Sequence, residues 1–387
     1  MTKTLEPIFL DENLAAVGSV MDVYDSLIWT ERYFDVGDFE IKRGVAPVFV
    51  AQLDSVRYVY LPESDRLMLY ETTDVQSDHI NGNKHIIKGR SIELLLDRRI
   101  IWNRTVLTGS FQAGIEKLLN ENAISPTDTN RTLSRLVFEA STDQRIIDLT
   151  IDAQFYGQSL YSAIANLCLG KKLGFKMTKR DDGKFVFKLY FGTDRSYGQT
   201  ANAFIVFKPQ FDNLSTSEYV KTSLGLKTVD LVAGPISDTE VVTVTVEAAG
   251  GALTDINRRE MFTDGSGVAA SVPATTAPVT PPVVVTLTGT EYLDNLDERA
   301  DQYIAQLTQR GTEELSKNIS TLTFEGKINT DDDTYIYGRD FFMGDIVEIL
   351  DEYGHQAKTQ VTELIRSEDG AGTKLYPTFT AIPAEGA

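Results

Sequence analysis

Apolar and polar residues alternate in short runs over the first quarter of the chain, as in "DFEIK" (38–42), "SVRYVYL" (55–61) and "RLMLYETTDVQ" (66–76). A two-residue period turns one side of each run toward a core and the other toward water, the pattern of a half-buried β-strand. Pro62-Glu63-Ser64-Asp65 supplies a turn between two of these runs, and Asn81-Gly82 marks a hairpin within "INGNKHIIKG" (80–89). About five short antiparallel strands are expected between 22 and 90, as a small barrel or sandwich.

The period then lengthens. Ser91 is placed to cap a short helix carrying Ile92, Leu95 and Leu96, with Arg98 and Arg99 near its end. A second helix over 110–120 sets Phe111, Ile115, Leu118 and Leu119 on one face. A third, over 157–172, carries Leu160, Ile164, Leu167 and Cys168 and ends in Lys171-Lys172 before Gly174. A hairpin around Asp181-Asp182-Gly183 follows, so this middle region reads as mixed α/β.

From 201 the strand pattern returns in "AFIVFKPQF", "LKTVDLVAG" and "EVVTVTVEA". Residues 264–282 hold four prolines after position 272 and no large apolar anchor, which predicts a flexible or polyproline-like loop. Thr288 and Glu291 have capping-box spacing at the head of a long helix, about 290–316. Its apolar stripe is Leu293, Leu296, Ala300, Tyr303, Ile304 and Leu307, and its acidic face is a solvated side. The chain closes with strands in "STLTFEGKI", "RDFFMGDIVEIL" and "QAKTQVTELIR". The fold class expected is mixed β and α+β.

One pattern occurs twice. Phe34-x-x-Gly37-Asp38 and Phe341-x-x-Gly344-Asp345 each lead into an alternating apolar tail. Its physical sense is a turn in which Gly takes positive φ and Asp bonds its own backbone. The echo reads either as two similar turns or as one structural unit used twice.

Length and a 42 % hydrophobic content allow two or three domains with real cores. The formal charge of −19, from 56 acidic and 37 basic residues, reads as a solubility feature and argues against nucleic-acid binding as a main role. Cys168 is the single cysteine, which excludes intrachain disulfides and CxxC sites, and its apolar neighbours Leu167 and Leu169 suggest a buried thiol. No run approaches the roughly 18 apolar residues of a bilayer span. Glu6, Asp11 and Glu12 precede any apolar stretch, so no signal peptide is read and cytosolic synthesis is expected.

Catalytic patterns are sparse. His79, His85 and His355 have no HxH, HExxH or His-with-Cys spacing. There is no GxSxG, no P-loop and no GxGxxG opening a helix; "TDGSGVA" (263–269) runs into the proline-rich loop, away from any helix N-terminus. Asp331, Asp332 and Asp333 could meet a calcium ion, yet consecutive Asp lack the alternation and distal Glu of a calcium loop and read as a solvated turn. Glu93, Glu139 and Glu325 are available as paired acids, with nothing to select them. No enzyme activity, cofactor or metal is expected.

The run "VYDSLIWTERYFDVGDFEIK" (23–42) resembles the opening of the tail-tip hub proteins of long-tailed, non-contractile bacteriophages, with Trp29, Tyr33, Gly37, Phe39 and Glu40 at that family's spacing and Asp38 within it. The resemblance continues in "IKGRSIELLLDRRII" (87–101) at Gly89-Arg90-Ser91, in "NRREMFTDGSG" (257–267) at Arg258, Arg259 and Glu260, and in "FFMGDIVEI" at Gly344 and Asp345. That family is similar to the baseplate hub of contractile phages. It implies two small β-barrel-like domains, at about 1–100 and at 201–250 joined with 318–387, an α/β domain over 101–200, and an insertion over 251–317 with the loop and long helix.

The resemblance also implies a homotrimer at the distal end of the tail of the virion. Two equivalent barrels per chain would present six similar surfaces to a sixfold tail tube while the ring stays threefold. Distal-tail and tube proteins would lie above it and tip or receptor-binding fibre proteins below, with a tape-measure protein among the candidate neighbours. Its lumen would pass DNA without sequence-specific nucleic-acid binding. Many tail-associated relatives carry a long C-terminal extension, and this chain stops at "YPTFTAIPAEGA", so receptor binding and wall cleavage are expected of other subunits. The alternatives are a tail-associated cell-wall hydrolase or carbohydrate-binding tail protein, and a cytosolic scaffold.

Overall fold

The computed structural model describes residues 5–18, 21, 23–77, 82–235, 241–248, 253–268, 286–288, 298–319, 321–328 and 334–382. His79, Asn81, most of the 264–282 loop, Glu291 with Leu293 and Leu296, and Asp331–Asp333 lie outside these residues.

The alternating runs of the first quarter form β1 (Ile8–Leu10), β2 (Ser26–Arg32), β3 (Asp38–Gly44), β4 (Tyr58–Tyr60), β5 (Leu67–Gln76) and β6 (Lys84–Ser91), with a short helix α1 (Pro47–Gln52) between β3 and β4. The strands pair in the order β1-β4-β5-β6-β3-β2. Register follows the apolar pattern: Trp29 lies opposite Phe39 and Ile41 opposite Ile87, all facing one core with Leu27, Val59 and Met68. A slip of one residue would turn that whole set toward water.

The middle region holds β7 (Thr105–Ser110), α2 (Phe111–Leu119), β8 (Leu136–Glu139), α3 (Gln144–Ile147), β9 (Thr150–Phe155), α4 (Leu160–Gly170), β10 (Gly174–Lys179) and β11 (Phe185–Tyr190). Both helical stripes read from the sequence are buried in one core. Ser110 and Ser159 cap α2 and α4 by accepting from Ala113 N and Ser162 N. The segment after β6 departs from expectation. It is a 3₁₀ helix over Ile92–Arg98 without a side-chain cap, because the Ser91 hydroxyl accepts instead from Gly37 N at 2.9 Å.

The last part contains β12 (Val206–Phe207), β13 (Leu214–Thr222), β14 (Val229–Pro235), β15 (Val241–Glu247), β16 (Glu260–Asp264), β17 (Thr286–Thr288), α5 (Glu298–Lys317), β18 (Thr321–Ile328), β19 (Ile346–Leu350), β20 (Gln356–Asp369) and β21 (Gly372–Ala381). The first-quarter ladder runs on through β2-β20-β21-β18-β13, with β19 beside β20 and β12 beside β19, as one 12-stranded sheet. Among the described residues this ladder is an open path and closes no barrel. Strands predominate, with helices in the middle region and α5.

β14 and β15 do not pair with the closing strands. They join β16 and β17 in a separate four-stranded sheet whose Val232, Val242, Val244 and Val246 pack on Tyr303 and Leu307 of α5. Alternation alone cannot choose between two sheets, and the apolar stripe of α5 supplies the surface that draws these strands away.

A candidate assembly junction

β2 is the seam of the molecule. It pairs with β3 on one edge and with β20 on the other, from Ser26 opposite Asp369 to Arg32 opposite Glu363. Tyr33 follows directly, and its N–H donates to Thr362 O at 2.9 Å. Its ring is fully buried and meets three distant stretches of chain. A Cβ on Gly174 would lie 2.2 Å from the ring and one on Gly344 2.4 Å away, so both sites accept only glycine while Tyr33 keeps its place. The hydroxyl donates to Tyr190 O at 3.1 Å, and the Tyr190 ring stands edge-on at 5.2 Å. One side chain thus clamps the β2 seam, the α/β region and the closing strands.

Ion pairs reinforce the seam. Arg32 reaches Asp38 and Glu363 at 2.6 Å each and Val36 O at 2.8 Å, linking β2, its turn and β20. Burial works against that charge, and the two carboxylates more than restore it, holding Arg32 above its ordinary pKa. Deeper in, Arg366 of β20 pairs with Glu31 of β2. Glu31 also accepts from Ser64 Oγ at 2.7 Å, and Ser64 Oγ accepts from Trp29 Nε1 at 3.2 Å and Arg66 N at 3.0 Å. Arg66 is buried against Glu93, whose carboxylate also accepts from Met177 N of β10 at 2.7 Å.

Between these pairs lies a cleft of about 450 Å³ lined by Glu31, Asp65, Arg66, Lys176, Asp345 and Arg366 among others. These groups are engaged: Asp65 with Lys176 and Arg66, Asp345 with Arg195 at 2.8 Å, and the rest as described. Burial alone would raise the Asp65 carboxyl, yet Arg66 and Lys176 hold it below the usual range. Burial raises the Tyr190 hydroxyl well above its normal value. With its charges matched in pairs, the cleft serves as a polar joint between the elements that line it.

The two echoed turns differ. Gly344 takes φ +90°, and the buried Asp345 carboxylate accepts from Phe342 N at 3.1 Å and Thr193 N at 2.7 Å, the self-bonded turn that the sequence predicts. Gly37 is not at positive φ. It is glycine because a Cβ would lie 2.3 Å from Thr30 O, and Asp38, half exposed, turns to Arg32 rather than to its own backbone.

Phe39 packs on Trp29 at 5.8 Å; Glu40 bridges Lys42 and Lys88 at 2.7 and 2.6 Å, which lowers its pKa. Gly89 lets β6 approach β5, since a Cβ would fall 1.7 Å from Leu69 O, and Arg90 holds Glu71 through two bonds of 2.8 and 3.1 Å. The structure does not bring Arg258, Arg259 and Glu260 to this junction. Arg258 pairs with Glu260 at 2.6 Å beside β16, and Arg259 N donates to Thr228 Oγ1, both in the four-stranded sheet.

Other candidates for chemistry are engaged elsewhere. His85 is buried, lowered in pKa by that burial, and bonded to Thr73 at 2.6 Å through Nε2. His355 Nδ1 meets Asp351 at 2.6 Å; Glu139 pairs with Lys188 at 2.6 Å. Burial drives the Cys168 thiol far above the range of a nucleophile. Among the described residues no cluster of His, Cys, Asp and Glu could hold a metal, and no helix is long and apolar enough to cross a membrane. Sequence reasoning missed the junction roles of Glu31, Ser64, Arg66, Gly174, Tyr190, Thr362 and Arg366, because Ser64 and Gly174 read locally only as a turn and a helix end and the partners of all seven lie far along the chain.

Three solved structures share the fold. A tail protein from Neisseria meningitidis MC58 is 12 % identical with a TM-score of 0.56, covering 98 % of this chain and 97 % of that one. A 43 kDa tail protein of prophage MuSo2 from Shewanella oneidensis is 10 % identical with a TM-score of 0.54, covering 97 % and 98 %. Prophage tail protein gp18 from Listeria monocytogenes EGD-e is 13 % identical with a TM-score of 0.51, covering 97 % and 94 %. No curated protein matches the chain. The family model described as Siphovirus ReqiPepy6 Gp37-like protein matches residues 7–379, and the chain belongs to this family.

Proposed function

We propose that this chain is a non-enzymatic, homotrimeric hub at the distal end of a siphovirus tail. Two β modules, about 1–100 and 201–228 joined with 318–387, face a sixfold tail tube from a threefold ring; the α/β region and the sheet with α5 (229–317) flank them. Tip or fibre proteins attach below, and DNA leaves through an acidic lumen that phosphates do not adhere to.

The observation that carries this reading is the β2–β20 ladder clamped by Tyr33. It fixes two β modules from opposite ends of the chain side by side in one rigid sheet. A part that must repeat a surface around a ring needs that fixed relation. The likeness to tail proteins over nearly the whole chain supports the same reading. The two echoed turns differ, so the proposed equivalence of the modules does not rest on them. Mass photometry on the purified chain with its tail-tube partner tests it: a species of three copies is expected. A cleared band on host peptidoglycan in zymography would instead favour a wall hydrolase.

A further inference from the structure

In a chain of formal charge −19, one surface is basic. Burial raises the Tyr58 pKa, and Arg135, Arg98 and Arg57 pull against that rise. Arg98 in turn adjoins Arg99, and Arg99 adjoins Arg131, whose guanidinium stacks over Trp102 at 4.9 Å. Arg98 and Arg131 are joined through Arg99, which bonds the backbone oxygens of both, and the row ends at Trp102.

Among the described residues none of the five arginines ion-pairs with a carboxylate. Arg57 bonds Asp54 O and Val56 O, Arg99 bonds Arg131 O and Arg98 O, Arg131 bonds Ile100 O, and Arg135 bonds Gly183 O and the backbone oxygen of Glu12. The carboxylates nearby keep their charge without pairing with these arginines: Asp97 accepts from Ser159, Glu121 accepts from Thr105 and lies 3.9 Å from Lys117, and Asp128 accepts from Asn130. Burial depresses the Arg99 pKa, and repulsion from Arg131 and Arg98 adds to it.

The row ends on an apolar anchor. Trp102 is 59 % exposed and Ile100 45 %, and the Trp102 backbone is pinned by its N–H to Asn122 Oδ1 at 3.1 Å. Beside it lies a hollow of about 280 Å³ lined by Trp102, Asn103, Glu121, Thr127, Asp128 and Arg131. Exposed Trp and Arg together are the residues on which interface energy concentrates.

We propose that this row is a docking surface for an acidic polypeptide segment of another protein. Carboxylates of the segment meet the arginines, and one of its aromatic or aliphatic side chains enters the Trp102 hollow. Charge complementarity selects the occupant: the row is positive within a negative molecule, so it attracts anions that the rest of the surface repels. The exposed Trp102 and Ile100 favour a segment that carries apolar side chains over a phosphate backbone, whose charge is unbroken along its length. The inference stands on this surface alone and is independent of the trimeric reading.

The test uses the full chain and a fluorescein-labelled oligoglutamate peptide, followed by anisotropy. Binding at low salt is expected to disappear near 1 M salt, where the screening length is about 3 Å. Arg98→Glu should weaken it about tenfold while the variant melts like the wild type, since the Arg98 side chain is exposed and makes no described hydrogen bond. If that variant fails to fold, Arg57→Gln serves the same purpose. A peptide carrying one aromatic residue should shift the emission of Trp102, the other tryptophan, Trp29, being fully buried.

No binding of oligoglutamate at low salt, or binding that Arg98→Glu leaves unchanged, would overturn the proposal. So would an oligothymidylate of equal charge binding as tightly, which would make the row a nucleic-acid surface. Salt-sensitive self-association abolished by Arg98→Glu would also overturn it, by assigning the row to a second copy of this chain.

Discussion

Adding one methyl group at Gly174 tests the Tyr33 clamp. In Gly174→Ala the new Cβ falls 2.2 Å from Cε2 of Tyr33 and 2.7 Å from Cζ, well inside contact distance. The ring has little room to retreat, because it is fully buried and its hydroxyl is bonded to Tyr190 O. Overpacking of this kind costs about 1–3 kcal/mol, and a fully buried, hydrogen-bonded ring puts this case at the upper end. Tyr33→Ala alone empties a fully buried aromatic site, at about 3–5 kcal/mol. In the double variant the methyl finds the space that the ring has left, so the two losses should fall short of their sum by at least about 1 kcal/mol. The assay is native-state hydrogen exchange at the amide of Tyr33, which donates to Thr362 O across the seam, and at that of Gly344, which donates to Val361 O beside it. This local measure is preferable to a whole-chain melt in a protein with several cores. Losses that add within about 0.5 kcal/mol would mean that ring and glycine do not share one space, and the clamp argument would fail.

Two further outcomes follow from the buried charges. Arg366→Ala strands the Glu31 carboxylate, 3 % exposed, and should cost about 3–5 kcal/mol in urea unfolding, most of it recovered by adding Glu31→Gln. Recovery below about 1 kcal/mol would show that the pair is not the source of the loss. Glu313, buried on α5, is pushed up from 4.5 to about 7 by burial, against the pull of Gln309 and Arg310. Its folded form binds a proton that the unfolded chain releases earlier, so the associated stability is full below about pH 4.5 and is lost as pH rises through about 7. That loss is about 3 kcal/mol in order of magnitude, and Glu313→Gln should flatten the stability–pH curve over this window. An unchanged slope would remove Glu313 as its cause.

Much of the fold was legible because two-residue and 3.6-residue periods are local. The runs at 38–42, 55–61 and 66–76, and the stripes of Phe111 to Leu119 and Leu160 to Cys168, lie in the strands and helices that those periods predict. Pairing was less legible. β8 runs parallel to β11, and β2 meets β20 more than 330 residues later, through Glu31 and Arg366 at a separation of 335. Nothing local in either partner announces such a meeting. Gly174 shows the limit well: after Lys171-Lys172 it reads as a helix terminator, yet the left-handed residue there is Lys172, at φ 52°. The absence of a side chain at Gly174 serves Tyr33, a residue 141 positions earlier in the sequence. Likewise the repeated Phe-x-x-Gly-Asp string is one pattern with two physical causes, positive φ at Gly344 and backbone crowding at Gly37. The seven residues that tie the seam were invisible because each is ordinary until its partner arrives.

The central claim is that three copies of this chain, each holding two β modules in one sheet, make the ring. Class averages of isolated tail tips, with the mass of the assembled species against a chain mass of 43.0 kDa, test it most directly. The account predicts a threefold ring of three chains, each showing two similar lobes to the tube. A ring of six chains, or a single copy per tip, would contradict it.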